Sequence, residues 1–438
     1  MLKRKINRLF EEWKTQKRRK PLVVKGCRQC GKTSSVLAFA NAHYRHLVYL
    51  NFFKNPDYTS IFSGSLDVDN LIMMISALAP QSKFVPGETV IVLDEIQECP
   101  DARTALKFFM EDGRFDVIAT GSLLGVSGYG KSPRSVPVGF ETVVTMYPMD
   151  FEEFLWANDI SAQVTAKLME CLESRTPVPE ALHKRLMNLL LQYVVVGGMP
   201  EVVQHFVDTK QMDEVLALQR NIVASYADDM VKYAQPADKA RIRDCFESIP
   251  KQLSKENKKF QYSLVEKKGT AEKFAGCLQW IEDAGIIKRC YNLNTTELPL
   301  SGNADRSVFK VYMCDTGLFV SMLEEGSQAD ILQGNLLGYK GAIFENLAAD
   351  IFVKMGRDLY YFKKDSGLEI DFVMRYKGEC VIVEIKATNG NAKSVKTVLK
   401  HPENYRVKTA LKFGNCNIGF SQGILTLPLY MMFLLTKY

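Results

Sequence analysis

An α/β fold built on a three-layer parallel sheet is what this sequence predicts, and three runs of residues predict it. Pro21-Leu-Val-Val-Lys25, Thr89-Val-Ile-Val-Leu-Asp94 and Asp116-Val-Ile-Ala-Thr-Gly-Ser122 are apolar or β-branched almost throughout. Strands buried on both faces of a parallel sheet read this way. A fourth run, Leu47-Val-Tyr-Leu-Asn-Phe52, alternates with them and with helical stretches, so at least four strands lie between helices. In such a sheet the ligand site lies at the carboxyl ends of the strands.

The first strand runs into Gly26-Cys-Arg-Gln-Cys-Gly-Lys-Thr33, a full G-x-x-x-x-G-K-[ST] phosphate loop, and Ser34 to Ala40 continue as a helix. Gly26 and Gly31 let the backbone wrap phosphate oxygens, and the N–H groups at the helix start face the anion. Gly26, Cys27, Arg28, Gln29, Cys30, Gly31, Lys32, Thr33 and Ser34 are therefore the expected ATP contacts. Lys32 reaches the β- and γ-phosphates, and Thr33 ligates Mg²⁺. Asp94 ends the third strand, where it can hold Mg²⁺ through the ion's water shell. Glu95 follows it, and a chain that only binds nucleotide does not need a general base there. Thr120 or Ser122, ending the fourth strand, can sense the γ-phosphate or orient the water.

The 438 residues are too many for one core, so several domains are expected. A net charge of +6 permits nucleic-acid binding without arguing for it. The basic start Met1-Leu-Lys-Arg-Lys leads into an amphipathic helix (Ile6, Leu9, Phe10, Trp13), which is no signal peptide. No apolar stretch reaches membrane-spanning length; Ile424 to Leu435 contains Pro428 and reads as a buried strand. Ten scattered cysteines and five histidines without zinc spacing suit a reduced, cytoplasmic chain. Cys27-x-x-Cys30 has redox-motif spacing but lies inside the phosphate loop, where it reads as coincidence; thiol-sensitive ATP binding is the alternative.

Helical patterning dominates from Phe151 to Tyr233, broken at Val194-Val-Val-Gly-Gly-Met-Pro200, and fits a lid over the nucleotide site. Residues 241–315 read as a winged helix-turn-helix. Ile242, Cys245, Phe246, Ile249 and Leu253 recur at helical spacing, a second helix runs from Thr270 to Gly285, and two strand-like runs flank a polar wing. Lys251, Lys255, Lys258, Lys259, Lys267, Lys268 and Lys273 make its approach basic, which suits a DNA or RNA backbone, a protein partner or plain solvation.

Leu368 to Tyr376 and Glu379 to Lys386 read as two strands joined by a Lys377-Gly378 turn. That turn sets Asp371 opposite Glu384 and Glu369 opposite Lys386, with an apolar second face, as in a half-buried hairpin. With Glu345 from the helical stretch Gly341 to Met355, the group Asp371, Glu384 and Lys386 is a candidate second Mg²⁺ or Mn²⁺ site. Cross-strand ion pairing on a surface hairpin is the alternative.

Taken together, the phosphate loop, Leu93-Asp-Glu-Ile-Gln97, Thr120-Gly-Ser122, Met146 to Leu155, Gly197-Gly-Met-Pro200, Cys314-Asp-Thr-Gly-Leu318 and the hairpin resemble a bacterial and archaeal family of AAA+-type P-loop ATPases. Its members join an N-terminal ATPase domain to a C-terminal domain of unknown function with a restriction-endonuclease-like end. The resemblance implies that Asp371, Glu384 and Lys386 match the PD-(D/E)XK nuclease pattern. It also implies an arginine finger before the Tyr-Pro segment, but Gly139-Phe140 stands there, with Lys131 and Arg134 the nearest upstream basic residues in a Gly/Ser/Pro-rich loop, so either Arg134 is the finger, acting across a homo-oligomer, or hydrolysis is slow.

The expected organisation is an ATPase core (1–155), a helical lid (156–240), a winged helix (241–330) and a small endonuclease-like α/β domain (331–438). Two functions follow: an Mg²⁺-dependent ATPase whose nucleotide state controls a nucleic-acid-processing module, or a non-catalytic ATP switch whose nuclease-like end holds a protein partner.

Overall fold

The computed structural model describes residues 2–122, 139–233, 238–255, 258–335, 339–386 and 392–435. Two compact units are present, one of Lys3–Pro148 with Asp283–Gly285, the other of Met149–Glu282 with Ile286–Tyr438.

In the first unit α1 (Ile6–Lys14), β1 (Leu22–Lys25), α2 (Lys32–His43), β2 (His46–Asn51), α3 (Val68–Leu78), β3 (Thr89–Asp94), α4 (Pro100–Asp112), β4 (Asp116–Gly121) and β5 (Thr142–Thr145) follow in order. The strands form one sheet in the order β2-β3-β4-β1-β5, parallel throughout. Side chains alternate across it. Val23, Leu50, Ile91, Leu93, Val117 and Ala119 pack on α3 and α4, whereas Leu22, Val24, Val90, Val92 and Ile118 pack on α1 and α2. The three expected layers are therefore present. Edge strand β5, with its half-exposed pattern, carries too little apolar signal to be read from sequence.

In the second unit five helices come first: α5 (Phe151–Ala157), α6 (Ala162–Ser174), α7 (Glu180–Val196), α8 (Pro200–Thr209) and α9 (Met212–Tyr233). Then follow α10 (Lys239–Glu247), α11 (Ile249–Leu253), α12 (Ala271–Asp283), β6 (Ile287–Leu293), β7 (Ala304–Met313), α13 (Thr316–Ser321), α14 (Ser327–Gln333) and α15 (Lys340–Lys354). The chain closes with β8 (Leu359–Lys363), β9 (Glu369–Ile370), β10 (Phe372–Tyr376), β11 (Glu379–Ile385), α16 (Lys393–Lys400), α17 (Pro402–Tyr405), β12 (Ala410–Gly414), β13 (Gly419–Ser421) and β14 (Ile424–Pro428). One sheet runs β10-β11-β12-β14-β13; another runs β7-β6-β8-β9, so the hairpin β6–β7 shares a sheet with β8.

Three local expectations are corrected. The β10–β11 hairpin turns at Lys377 (φ 49) and Gly378 (φ 84) and pairs Tyr376 with Glu379, as the turn requires, but both its faces are buried. Parallel pairing to β12 makes β11 an interior strand. Glu369 does not oppose Lys386: the strand breaks at Asp371, and β9 pairs with β8, Glu369 opposite Lys363. The strand from Ile424 stops at Pro428, and the apolar residues after it form a buried 3₁₀ turn, Leu429–Leu434. Among the described residues no helix is long and apolar enough to cross a membrane.

Two glycine motifs interlock in the second unit. α7 ends at Gly197 (φ 72), and a Cβ there would strike Asp315 and Gly317. Buried Asp315 accepts from Gly198 N–H at 2.7 Å and caps α13 by accepting from Leu318 N–H at 2.9 Å. Beside it Lys354 donates to Met149 O at 3.1 Å and pairs with Asp350 at 2.8 Å, while Thr316 donates to Asp350 at 3.1 Å. A buried charge is tolerated only with such partners. Asp315→Ala removes a cap and strands the Gly198 N–H, so it should cost about 2–4 kcal/mol in urea unfolding; a loss below about 1 kcal/mol would deny the junction this role.

Candidate functional site

The phosphate loop sits between β1 and α2, and its shape depends on two glycines. A Cβ at Gly26 would run into the Met146 carbonyl, and Gly31 caps α2 at φ 94, a left-handed conformation. Lys32, largely buried, donates to the loop's own carbonyls, Cys27 O at 2.8 Å and Gly26 O at 3.1 Å. Its ammonium thus lies in the cradle that a phosphate chain would fill.

Asp94 is the hub of the site. It is 1% exposed, and four donors reach it. Thr33 donates at 3.0 Å and Thr120 by a shorter contact to Oδ1; Tyr49 and Asn51 each donate to Oδ2 at 2.7 Å. Sheet register explains the strand donors, since Asn51 lies opposite Asp94 and Leu93 opposite Ala119, one residue before Thr120. Burial raises the Tyr49 phenol to about 12, and its hydrogen bond to Asp94 adds to this, so it stays a donor. Thr120 therefore faces Asp94. The hydroxyl of Ser122 is buried without a hydrogen-bond partner among the described residues.

Glu95 stands just past the strand in a left-handed conformation (φ 56), where Gln97 Nε2 donates to its carboxylate. Arg134 and Lys131 lie outside the described residues. Four participants were not legible as such in the sequence: Tyr49, Asn51, Gln97 and Arg4. Buried Arg4 donates to Cys30 O at 2.8 Å and Tyr147 O at 2.7 Å and so pins the loop's backbone from outside. Its only signal was a basic residue ahead of α1.

In the second unit the structure brings Glu345 of α15, Asp371, Glu384 of β11 and Lys386 into one electrostatic cluster. It adds Lys310 and Lys363, which the sequence did not point to, and Lys258, which the sequence placed on the basic approach of the winged helix and which is instead largely buried against Glu345. Lys258 pairs with Glu345, fully buried Lys310 lies 3.6 Å from Glu345 and 2.9 Å from Glu369, and Lys363 lies 2.7 Å from Glu369. Lys386 pairs with Glu384. Asp371 accepts from Ile385 N–H at 2.8 Å. Burial drives Asp371 well above the carboxylate range, and Glu345 and Glu384 push it further. Burial also raises Glu384. Burial works against the charge on Glu345, but Lys310 and Lys258 outweigh it and hold that carboxyl low. Among the described residues no group of three or more His, Cys, Asp or Glu side chains is arranged to hold a metal ion.

Residues 18–155 match the family described as an AAA domain, so the first unit carries an AAA-type P-loop fold. Residues 187–329 and 340–432 match two domains of unknown function, DUF8612 and DUF4143. No curated protein matches the chain. Similar solved structures include the Walker-type ATPase paby2304 of Pyrococcus abyssi (14% identity, 74% of this chain and 96% of that one, TM-score 0.43). Others are the Aeropyrum pernix Orc1 protein in complex with DNA (12%, 76% and 92%, 0.30) and AMPPCP-bound DnaA from Aquifex aeolicus (12%, 65% and 90%, 0.30). These likenesses are weak and transfer no partner to this chain.

Arg4→Ala leaves two loop-side carbonyls without their donor. It should lower stability by about 1–3 kcal/mol, read as a fall in thermal midpoint; an unchanged midpoint would mean that the loop holds its shape without Arg4.

Proposed function

We propose that the first unit binds ATP with Mg²⁺ and hydrolyses it. The observation that carries this reading is the donor set of Asp94: hydroxyls and an amide, with no cation among the four. That carboxylate is not committed to an ion pair among its four donors and lies beside the Thr33 hydroxyl. That pair suits a hydrated Mg²⁺ next to a triphosphate. When bound, the ion would neutralise charge on the β- and γ-phosphates.

This chain's own groups do the rest. Lys32 exchanges the Gly26 and Cys27 carbonyls for phosphate oxygens. The loop N–H groups cradle the anion at the start of α2. Glu95 takes the proton of the attacking water, and Gln97 must first release it. Thr120, one bond from Asp94, reports on the γ-phosphate. Ser122, with its buried hydroxyl, is the second candidate for that role. Arg134 supplied by a neighbouring copy remains our assignment for the transition-state cation, and the helices of 156–240 are assigned as the lid.

For the second unit the lysines favour a module that does not cut. Asp371, bonded to the Ile385 N–H, is pushed by burial toward its neutral form, and Glu345, Glu369 and Glu384 pair with Lys258, Lys310, Lys363 and Lys386, so those carboxylates already have cations. A metal ion would have to displace them. The winged-helix-like stretch and the endonuclease-like end then serve as a binding surface for a protein or nucleic-acid partner, governed by nucleotide state.

Lys32→Ala should weaken ATP binding at least about tenfold, because a charge-assisted contact is lost. Glu95→Gln should retain binding while turnover falls by about 10²–10⁴; wild-type turnover in Glu95→Gln would remove it as the base. For the second unit, titration calorimetry of the full chain with Mn²⁺ and with nucleotide absent should give the same heats in wild type and Asp371→Ala. A binding isotherm lost in Asp371→Ala would restore the metal site and, with it, the nuclease reading.

A further inference from the structure

We propose that Cys27 and Cys30 form a reversible disulfide inside the phosphate loop, and that this bond and bound nucleotide exclude each other. The second half rests on the ATP reading above.

The two thiols bracket Arg28 and Gln29, which form a turn with Gln29 at φ 60. A turn of this kind brings its first and fourth Cα atoms within about 7 Å, a separation that a disulfide spans. The Cys27 and Cys30 side chains already hydrogen-bond to one another, and Cys30 Sγ lies 3.5 Å from Met146 O. The pair immediately precedes the N-terminus of α2, capped by Gly31, where backbone N–H groups favour an anion. Two cations flank it: Lys32, and Arg4 on the Cys30 carbonyl. The hydrogen bond from Cys27 draws the Cys30 thiol down to about 6 against burial, and those cations add to the effect. A thiol drawn down in this way gives up its proton more readily, and the thiolate is the reactive form.

The oxidant is a peroxide. Cys30 thiolate attacks one peroxide oxygen, the O–O bond breaks, and hydroxide leaves to take up a proton as water. The Cys27 thiol then attacks the sulfur of the Cys30 sulfenic acid; the S–S bond forms, the S–O bond breaks, and a second water leaves with the Cys27 proton. The two thiols lose two electrons and the peroxide gains them.

Exclusion follows from the loop. Lys32 is held by Gly26 O and Cys27 O and must leave both to meet phosphates. A bond from Cys27 to Cys30 fixes the Arg28-Gln29 turn and the Cys27 carbonyl that holds Lys32, so the loop does not re-aim its N–H groups at phosphates. Conversely, Cys27 is 4% exposed and Cys30 fully buried, so a peroxide needs the loop to open, and bound nucleotide holds it against its phosphates. Another close thiol pair, Cys245 and Cys277, lies in the second unit and serves as an internal control.

The experiment treats the full chain with hydrogen peroxide, blocks remaining thiols with N-ethylmaleimide, and maps peptides by mass. A Cys27–Cys30 cross-link, lighter by two hydrogens, is expected, and its yield should fall at least about fivefold when MgATP is present. Binding of a fluorescent ATP analogue should weaken at least about tenfold on oxidation and recover with dithiothreitol. In Cys27→Ser and Cys30→Ser the oxidised-to-reduced affinity ratio should be close to one; Cys30→Ala replaces the latter if its melting curve shows loss of fold. No cross-link at this pair, or cross-linking at Cys245–Cys277 alone, would overturn the proposal, as would a cross-link that leaves nucleotide affinity unchanged. A cross-link in a chain that binds no analogue even when reduced would overturn the ATP reading and leave the disulfide standing.

Discussion

A carboxylate taken out of water must be given hydrogen bonds or cations, and the polar sites of this chain are arranged by that requirement. Losing hydration costs several kcal/mol per ion, far more than the margin by which a domain is stable. Asp94, at the end of a strand buried along its whole length, meets the requirement with neutral donors. Thr33 comes from α2, Thr120 from β4, Tyr49 and Asn51 from β2. One side chain therefore ties three adjacent strands and the helix after the phosphate loop into one arrangement. Its donors carry no charge, so no ion pair is committed to it.

The second unit answers the same requirement differently. Glu345 and Glu369 are met by ammonium groups, Lys310 from the interior of β7 and Lys258 from the segment before it. Burial works against the charge on Lys310, but Glu345, Glu369 and Asp371 hold its pKa above the usual lysine value. The carboxylate pattern that resembles a nuclease is thus present, yet Glu345, Glu369 and Glu384 are held in ion pairs and Asp371 is pushed by burial toward its neutral form. Replacing one member of such an ion pair leaves the other charge buried and alone, which is costly. Asp350, Lys354 and Asp315 repeat the theme at the junction of α7, α13 and α15.

What was legible in the sequence was local. The phosphate loop, the four longer strands and the hairpin turn at Lys377-Gly378 each depend on residues adjacent in the chain. The register Asp371 opposite Glu384 follows from a two-residue turn and agrees with the observed pairing of Phe372 with Val383. Glu369 escaped that logic because β9 leaves the hairpin for β8, a choice made by strand order and not by the turn. Tyr49 and Asn51 escaped for a similar reason: only the order β2-β3-β4 sets them beside Asp94. Lys310 read as one polar residue in a strand because nothing local says that its face is interior. Arg4 lies far in sequence from Tyr147, and no short pattern links them. Gly197 and Gly198 read from the residues only as a helix break, and Asp315 and Gly317 stood out only by resemblance; the contact between them is what makes those residue types necessary.

The resting nucleotide site is satisfied by itself, and this bears on how it is entered. Lys32 rests on two loop carbonyls, and Glu95 on the Gln97 amide. Each is a hydrogen bond between a charged group and a neutral dipole, worth about 1.5–3 kcal/mol net. Phosphate oxygens offer Lys32 an opposite charge in place of a dipole, so the exchange favours the bound state at that residue. Glu95 receives no such offer from an anion. Its release depends on a water, and on an outlet for a left-handed backbone that a glutamate adopts only at some cost. On the proposed reading, binding and base release are separate events in this site: the first is driven by charge at Lys32, the second by whatever draws Gln97 away. On that reading hydrolysis waits on the breaking of the Glu95–Gln97 contact.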